Sequence, residues 1–311
     1  MSHCLGDAHG VWVEGRCTVS ILSNLSKQDD LATPSIVKSR PRKSLGQHYL
    51  VDGAVLNRIV AAAELTPDDV VVEVGPGTGS LTRRLVQHAG RVIAVEVDHG
   101  LASTLSPRLD NPANLTIIAA DSRTIDISDL ISGLASYKMV ANLPYYAANP
   151  IIRRFLEAEH KPSLMVVMVQ REVAQSMLAM PGNMGILSVA VQYYAVPKLV
   201  CDVPPRAFRP PPKVASSVVR LEVRQRPAVS VRETEAFFET VRAGFCAPRK
   251  QLRNSLSQGL STPGDVIGPL LASLSIDGRR RAETLTLEEW AQVHRAWEEM
   301  TSVAGPGLRQ D

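Results

Sequence analysis

The sequence predicts an α/β fold, with a mostly parallel, doubly wound sheet closed by an antiparallel pair and followed by a small all-helical C-terminal region. Three observations carry this. First, Val70–Gly90 changes period partway. Val70, Val71, Val72 and Val74 form a β-branched run suited to a strand buried on both faces. Gly75, Gly77 and Gly79 follow, then Leu81, Leu85, Val86 and Ala89 fall at helical spacing with Gly90 as the expected C-cap. Second, strand-like runs recur at 91–97, 115–120, 137–141 and 163–169, with helical segments between them. Third, the extended stretches expected at 189–203 and 214–223 are joined by a proline-rich loop too short for a crossover helix, so they should pair antiparallel.

Composition bounds the function. At 311 residues the chain can hold a large core and a second, smaller domain. Expected boundaries are an extension at 1–37, an α/β domain at 38–225, a helical domain at 230–302 and a tail at 303–311. The extension has no sustained periodicity and is expected to be largely disordered. No apolar run reaches the roughly 18 residues of a membrane span. Cys4, Cys17, Cys201 and Cys246 are scattered, which argues against a disulfide framework or a zinc site and fits a reducing, cytoplasmic setting. His3, Cys4, His9 and Cys17 are too irregularly spaced to make a metal site, so no metal is expected. The net charge of +3 conceals an asymmetry: between Pro205 and Arg281, 14 Lys/Arg stand against 6 Asp/Glu. That basic segment suits a polyanionic partner. Nothing in the sequence suggests an obligate interface, so a monomer is expected.

In chain order, Lys38–Lys43 is a basic run and Leu45-Gly-Gln-His-Tyr-Leu50 a partly apolar loop. Asp52 should cap a helix carrying Val55, Ile59, Val60 and Ala63. The strand–glycine–helix unit is the geometry that brings backbone close to a nucleotide. Glu96, ending the second strand, is placed to bind ribose hydroxyls; NAD and S-adenosylmethionine (SAM) both carry a ribose, so Glu96 does not choose between them. Asp121, after the third strand, could accept from an adenine amino group or cap a turn. Beyond residue 231, Phe237, Phe238, Val241 and Phe245 form one helical stripe, and Val266, Leu270, Leu271 and Leu274 another. Thr286-x-x-Glu289 is a capping box before a helix with Trp290, Val293, Trp297 and Met300 on one face. Those tryptophans read as core rather than as a stacking platform.

Asn142-Leu143-Pro144-Tyr145, ending the fourth strand, is the most informative quartet. The lone pair of an exocyclic adenine nitrogen is delocalised into the ring. An amide oxygen and a backbone carbonyl accepting from its two N–H bonds would redirect it toward a methyl donor. Proline fixes the backbone for that carbonyl, and an aromatic ring can stack on a base taken out of its helix. As a plain Asn-Pro turn the quartet would be unremarkable; beside the glycine loop and two acids it points to catalysis.

With these motifs the chain resembles the ribosomal RNA adenine dimethylases, the KsgA/Dim1 family of SAM-dependent methyltransferases, from about Lys43 to Trp297. Leu45–Leu50 looks like the family's opening motif, Glu73–Gly79 its SAM loop, Asn142–Tyr145 its catalytic motif, and Phe208–Val214 followed by Ser217 its aromatic-proline motif. Leu252–Leu256, after Arg249-Lys250, resembles its C-terminal basic helix. The resemblance implies a Rossmann-like class I methyltransferase with a mostly parallel seven-stranded sheet, its last strand antiparallel, and a small helical domain. It also implies donor contacts from His48, Leu50, Gly75, Gly77, Glu96, Asp121 and Asn142. Catalysis would fall to Asn142, Leu143, Pro144 and Tyr145, with Phe208 and Tyr145 sandwiching the target adenine. Lys43, Arg209, Lys213, Arg249, Lys250 and Arg253 would contact RNA phosphates. The implied substrate is a pair of adjacent adenosines near the 3′ end of small-subunit ribosomal RNA, dimethylated during assembly of the 30S subunit. The chain departs from the family in carrying His48 where Asn is common and Tyr146 where Asn often follows the catalytic Tyr. Competing readings are an Erm-type large-subunit rRNA methyltransferase, an NAD-dependent oxidoreductase, and a non-catalytic assembly factor that keeps the fold.

Overall fold

In the computed structural model, residues 48–303 are described. The extension, the basic run with Lys43, the first three residues of the opening motif and the last residues of the tail lie outside them. The chain begins with a two-residue strand β1 (Tyr49–Leu50) and helix α1 (Gly53–Ala63). Asp52 caps that helix as expected, accepting from the N–H groups of Ala54 at 2.9 Å and Val55 at 3.2 Å. Alternation follows: β2 (Val70–Val74), α2 (Thr82–His88), β3 (Arg91–Glu96), α3 (His99–Arg108) and β4 (Leu115–Ala119). Next come α4 (Ile127–Leu130), β5 (Lys138–Asn142), α5 (Ala148–Glu157), β6 (Leu164–Gln170), α6 (Arg171–Leu178) and α7 (Ile186–Tyr194). The sheet is completed by β7 (Ala195–Val203) and β9 (Ser216–Val223), with the short β8 (Phe208–Arg209) between them. The C-terminal part is helical: α8 (Thr234–Phe245), α9 (Leu252–Gly259), α10 (Gly264–Ser273) and α11 (Leu287–Val303).

Seven strands form one sheet in the order β4-β3-β2-β5-β6-β9-β7, and β9 runs antiparallel to both of its neighbours. The chain winds outward from β2 to β4, then returns to place β5 on the other side of β2. This reversal leaves a crevice beyond the C-terminal ends of β2 and β5. Both faces are covered, so strand residues alternate between two apolar layers. Val71, Val140 and Val166 face α1 and α2, while Val72, Met139 and Val167 face the layer containing α5, α7 and the C-terminal helices. The C-terminal helices join that second layer through aromatic packing, with the Tyr193 and Phe237 ring centroids 5.3 Å apart. The expected capping box opens α11: Thr286 N–H donates to Glu289 Oε2 at 2.8 Å and Glu289 N–H to Thr286 Oγ1 at 3.1 Å. Trp290 is buried and Trp297 packs at the edge of the core.

Two expectations need correction. Residues 189–194 are not extended; they belong to α7. Val189, Ala190, Val191, Tyr193 and Tyr194 are all buried, and a helix covered on every side reads as an apolar run, as a central strand does. Gly90 is not a left-handed cap either. The cap of α2 is Ala89, in extended conformation. Gly90 is required by close approach: a Cβ there would lie 2.0 Å from the Pro67 carbonyl oxygen. Because that obstacle is backbone, Gly90→Ala should lower stability by about 1–3 kcal/mol, read as a reduced midpoint in urea unfolding with unchanged slope.

Candidate active site

The crevice is lined from five directions. The β2 end supplies Glu73, Gly75 and Gly77, and the β3 end supplies Glu96 and Val97. Asn142, Leu143, Pro144 and Tyr145 come from the β5 end, while β1 contributes His48, Tyr49 and Leu50 and β8 contributes Phe208. The last two segments are brought together by antiparallel pairing, with Tyr49 opposite Arg209 and Leu50 opposite Phe208.

The glycine loop owes its shape to backbone freedom and to one carboxylate. Gly75 and Gly77 have φ of 68° and 57°, in the left-handed region that disfavours side chains. A Cβ on Gly77 would stand 3.0 Å from the Tyr49 ring, so the loop also needs the space. Glu96 is buried and accepts from the N–H of Gly77 (3.0 Å, Oε2) and of Asp98 (2.9 Å, Oε1). Burial raises its pKa, and those two backbone donors oppose the rise. Each oxygen keeps a lone pair for a further donor, as binding of vicinal hydroxyls demands.

At the β5 end, Asn142 Nδ2 donates to the His48 carbonyl at 3.4 Å, leaving Oδ1 as an acceptor. The Pro144 carbonyl accepts from Ala147 N–H at 3.0 Å. Tyr145 is half-buried. Its hydroxyl lies 2.6 Å from Ser216 Oγ, and its ring stacks with that of His48 at 5.8 Å and 29°.

Of the residues expected to hold a donor, His48, Leu50, Gly75, Gly77, Glu96 and Asn142 line the cavity together. Asp121 is not among its lining residues. Its carboxylate is bound by the Arg123 guanidinium at 2.6–3.1 Å, which holds its pKa below the ordinary value. Arg123 in turn sits 5.7 Å from the ring centre of Tyr146, which is exposed. Phe208 lines the cavity but is fully buried, and the ring stacked on Tyr145 is that of His48. Arg209, Lys213, Arg249, Lys250 and Arg253 are all exposed, the first two on the β8 side of the cavity and the others at the start of α9. Among the described residues no group of three or more His, Cys, Asp or Glu could hold a metal ion.

Sequence reasoning gave three residues no role of their own. Tyr49 closes over Gly77. Ser216, rather than its neighbour Ser217, meets the Tyr145 hydroxyl, whereas Ser217 Oγ donates to Asp202 Oδ1 at 2.6 Å. Glu73 is a buried acid lining the cavity whose Oε2 has no hydrogen-bond partner. Its signal was present: a lone charge inside Val70–Val74, a strand otherwise apolar on both faces.

Fold and site together define a Rossmann-like, class I methyltransferase. The sequence profile described as "Ribosomal RNA adenine dimethylase" matches residues 38–298. A protein from Dehalococcoides mccartyi called "Ribosomal RNA small subunit methyltransferase A" is 46% identical over 254 residues, covering 82% of this chain and 87% of that one. A protein of the same name from Pelotomaculum thermopropionicum is 44% identical, covering 85% and 96%. Among solved structures, a dimethyladenosine transferase from Plasmodium falciparum superposes with a TM-score of 0.71 at 23% identity, covering 81% of this chain and 98% of that one. The 23S rRNA methyltransferase ErmE gives 0.65 at 27%, covering 80% and 99%. The chain belongs to the ribosomal RNA adenine dimethylase family.

Burial pushes the Glu73 carboxyl up to about 8 from an ordinary 4.5, tempered by the Thr82 hydroxyl and reinforced by the Glu96 carboxylate. Between those values the folded chain holds a proton that the unfolded chain has released, so stability falls as pH rises through this window. Glu73→Gln removes the titration. Its unfolding temperature should exceed the parent's by roughly 5–10 °C at pH 8, and the gap should close toward pH 5. A gap independent of pH in thermal scans would contradict this origin.

Proposed function

We propose that this protein transfers methyl groups from SAM to the exocyclic amino groups of two adjacent adenosines in the 3′-terminal hairpin loop of small-subunit (16S) rRNA, two to each, during 30S assembly. It does so in the cytoplasm as a monomer. The observation that carries the reading is that Asn142–Tyr145 opens into the same crevice as the glycine loop and Glu96. The small-subunit methyltransferase names of the 44–46% identical relatives support the choice of RNA.

The residues present fit the donor. Glu96 would hold its ribose hydroxyls, the Gly75–Gly77 backbone would lie against its methionine portion, and the partnerless Glu73 oxygen suits its ammonium group. His48 and Leu50 would close over it from β1, and Asp121 would take its adenine amino group once released by Arg123. When bound, SAM supplies an electrophilic methyl on a sulfonium that departs as a neutral thioether, so no strong base is needed. The protein's task is positioning. Asn142 Oδ1 and the Leu143 carbonyl, aimed by Pro144, would accept from the two N–H bonds of the target amino group and direct its lone pair. Tyr145 and Phe208 would support the extruded base. The 38–225 part would perform the transfer. The 230–302 part, with Arg249, Lys250 and Arg253, would hold RNA phosphates together with Arg209, Lys213 and Lys43, making binding steeply salt-dependent.

Incubation with labelled SAM and unmethylated small subunits should give label that maps to paired adenosines of the small-subunit RNA. Label on large-subunit RNA instead would favour an Erm-type activity. Asn142→Ala should lower methyl transfer by about 10²-fold or more while leaving RNA affinity within a few-fold of the parent. Full activity in that variant would overturn the assignment of Asn142.

A further inference from the structure

We propose that Ser216 is a positioning residue for methyl transfer: its hydroxyl fixes the attitude of the Tyr145 ring against which the target adenine rests. This deepens the reading above and rests on Tyr145 being the support of that base. Ser216 is the first residue of β9. A strand antiparallel to its neighbours begins where they end, so the start of β9 is delivered to the edge of the sheet that carries the catalytic quartet. There Ser216 is opposite Gln170 of β6 and Val203 of β7, held between two strands and fully buried. Its Oγ lies 2.6 Å from the Tyr145 hydroxyl, a contact between groups 71 residues apart.

Rotation of a tyrosine ring about its Cβ–Cγ bond meets only a broad, soft barrier. Packing of the His48 ring on one face limits that motion. The hydroxyl lies on the Cβ–Cγ axis, so its hydrogen bond to Ser216 restrains the other freedom, the swing of the whole ring about Cα–Cβ. Alternation along β9 explains why one serine serves this purpose and the next does not. Ser217 points to the other face, toward Asp202, which also pairs with Arg171 at 3.1 Å.

Ser216→Ala and Tyr145→Phe each delete the bond from one side. Each is expected to lower kcat for methylation of unmethylated small subunits by about three- to ten-fold. The KM for RNA and the calorimetric affinity for SAM should stay within about two-fold, since neither group lies in those contacts. The double variant should be no slower than the slower single variant, because both remove the same interaction. Losses that multiply in the double variant, or parental kcat in Ser216→Ala, would overturn the proposal. Tyr145→Ala separates the two levels. If it still methylates, the role of Tyr145 fails; if it is dead while Ser216→Ala is fully active, only the role of Ser216 fails. Should Ser216→Ala not fold, Tyr145→Phe decides from the half-buried side: a three- to ten-fold loss supports the bond, and parental kcat sinks it.

Discussion

The site depends on one carboxylate held by backbone. Glu96 is buried, and a buried carboxylate lacking donors would take up a proton or leave its place. The N–H groups of Gly77 and Asp98 oppose both, and in doing so tie the loop after β2 to the end of β3. Because Gly77 must present its N–H inward, the loop passes through left-handed backbone at three glycines. The space over Gly77 is then filled by the Tyr49 ring, whose strand pairs with β8 and carries Phe208 into the cavity. From one acid, a chain of contacts reaches the loop, the opening strand and the aromatic-proline segment.

Much of this was legible in the sequence because it is local. Asp52 and Thr286-x-x-Glu289 announced their helices through side chains that bond within a few residues, and the Val70–Val74 run could only be a central strand. The antiparallel position of β9 followed from a connection too short for a helix. What escaped is what depends on partners distant in sequence. The apolar run from Val189 fits a buried strand and a buried helix equally, and only packing against Phe237 and Phe238 settles it as helix. Gly90 read as a cap, yet its constraint is a carbonyl in the preceding loop. Two adjacent serines are chemically identical on paper; only strand register gives Ser216 to Tyr145 and Ser217 to Asp202.

Two aromatic contacts surround the quartet. His48 supplies a ring that stacks on Tyr145. Tyr146 provides an aromatic face for Arg123, which covers Asp121. Both place aromatic surface around the quartet. The Arg123–Asp121 pair is largely exposed, and water screens such pairs strongly, so it is weakly held.

The two-residue pairing of β1 with β8 sets a schedule for making the protein. Its partners are separated by some 160 positions, as Tyr49 and Arg209 show. During synthesis the glycine loop, Glu96 and the Asn142–Tyr145 quartet all leave the ribosome before Phe208 exists. A nascent chain at that stage carries those segments but no wall on the β8 side. Closure of such a long loop comes late because its entropy must be met before its contacts are made. The enzyme's pocket is thus completed only when translation has passed the proline-rich segment, well after the α/β core that surrounds it can begin to form.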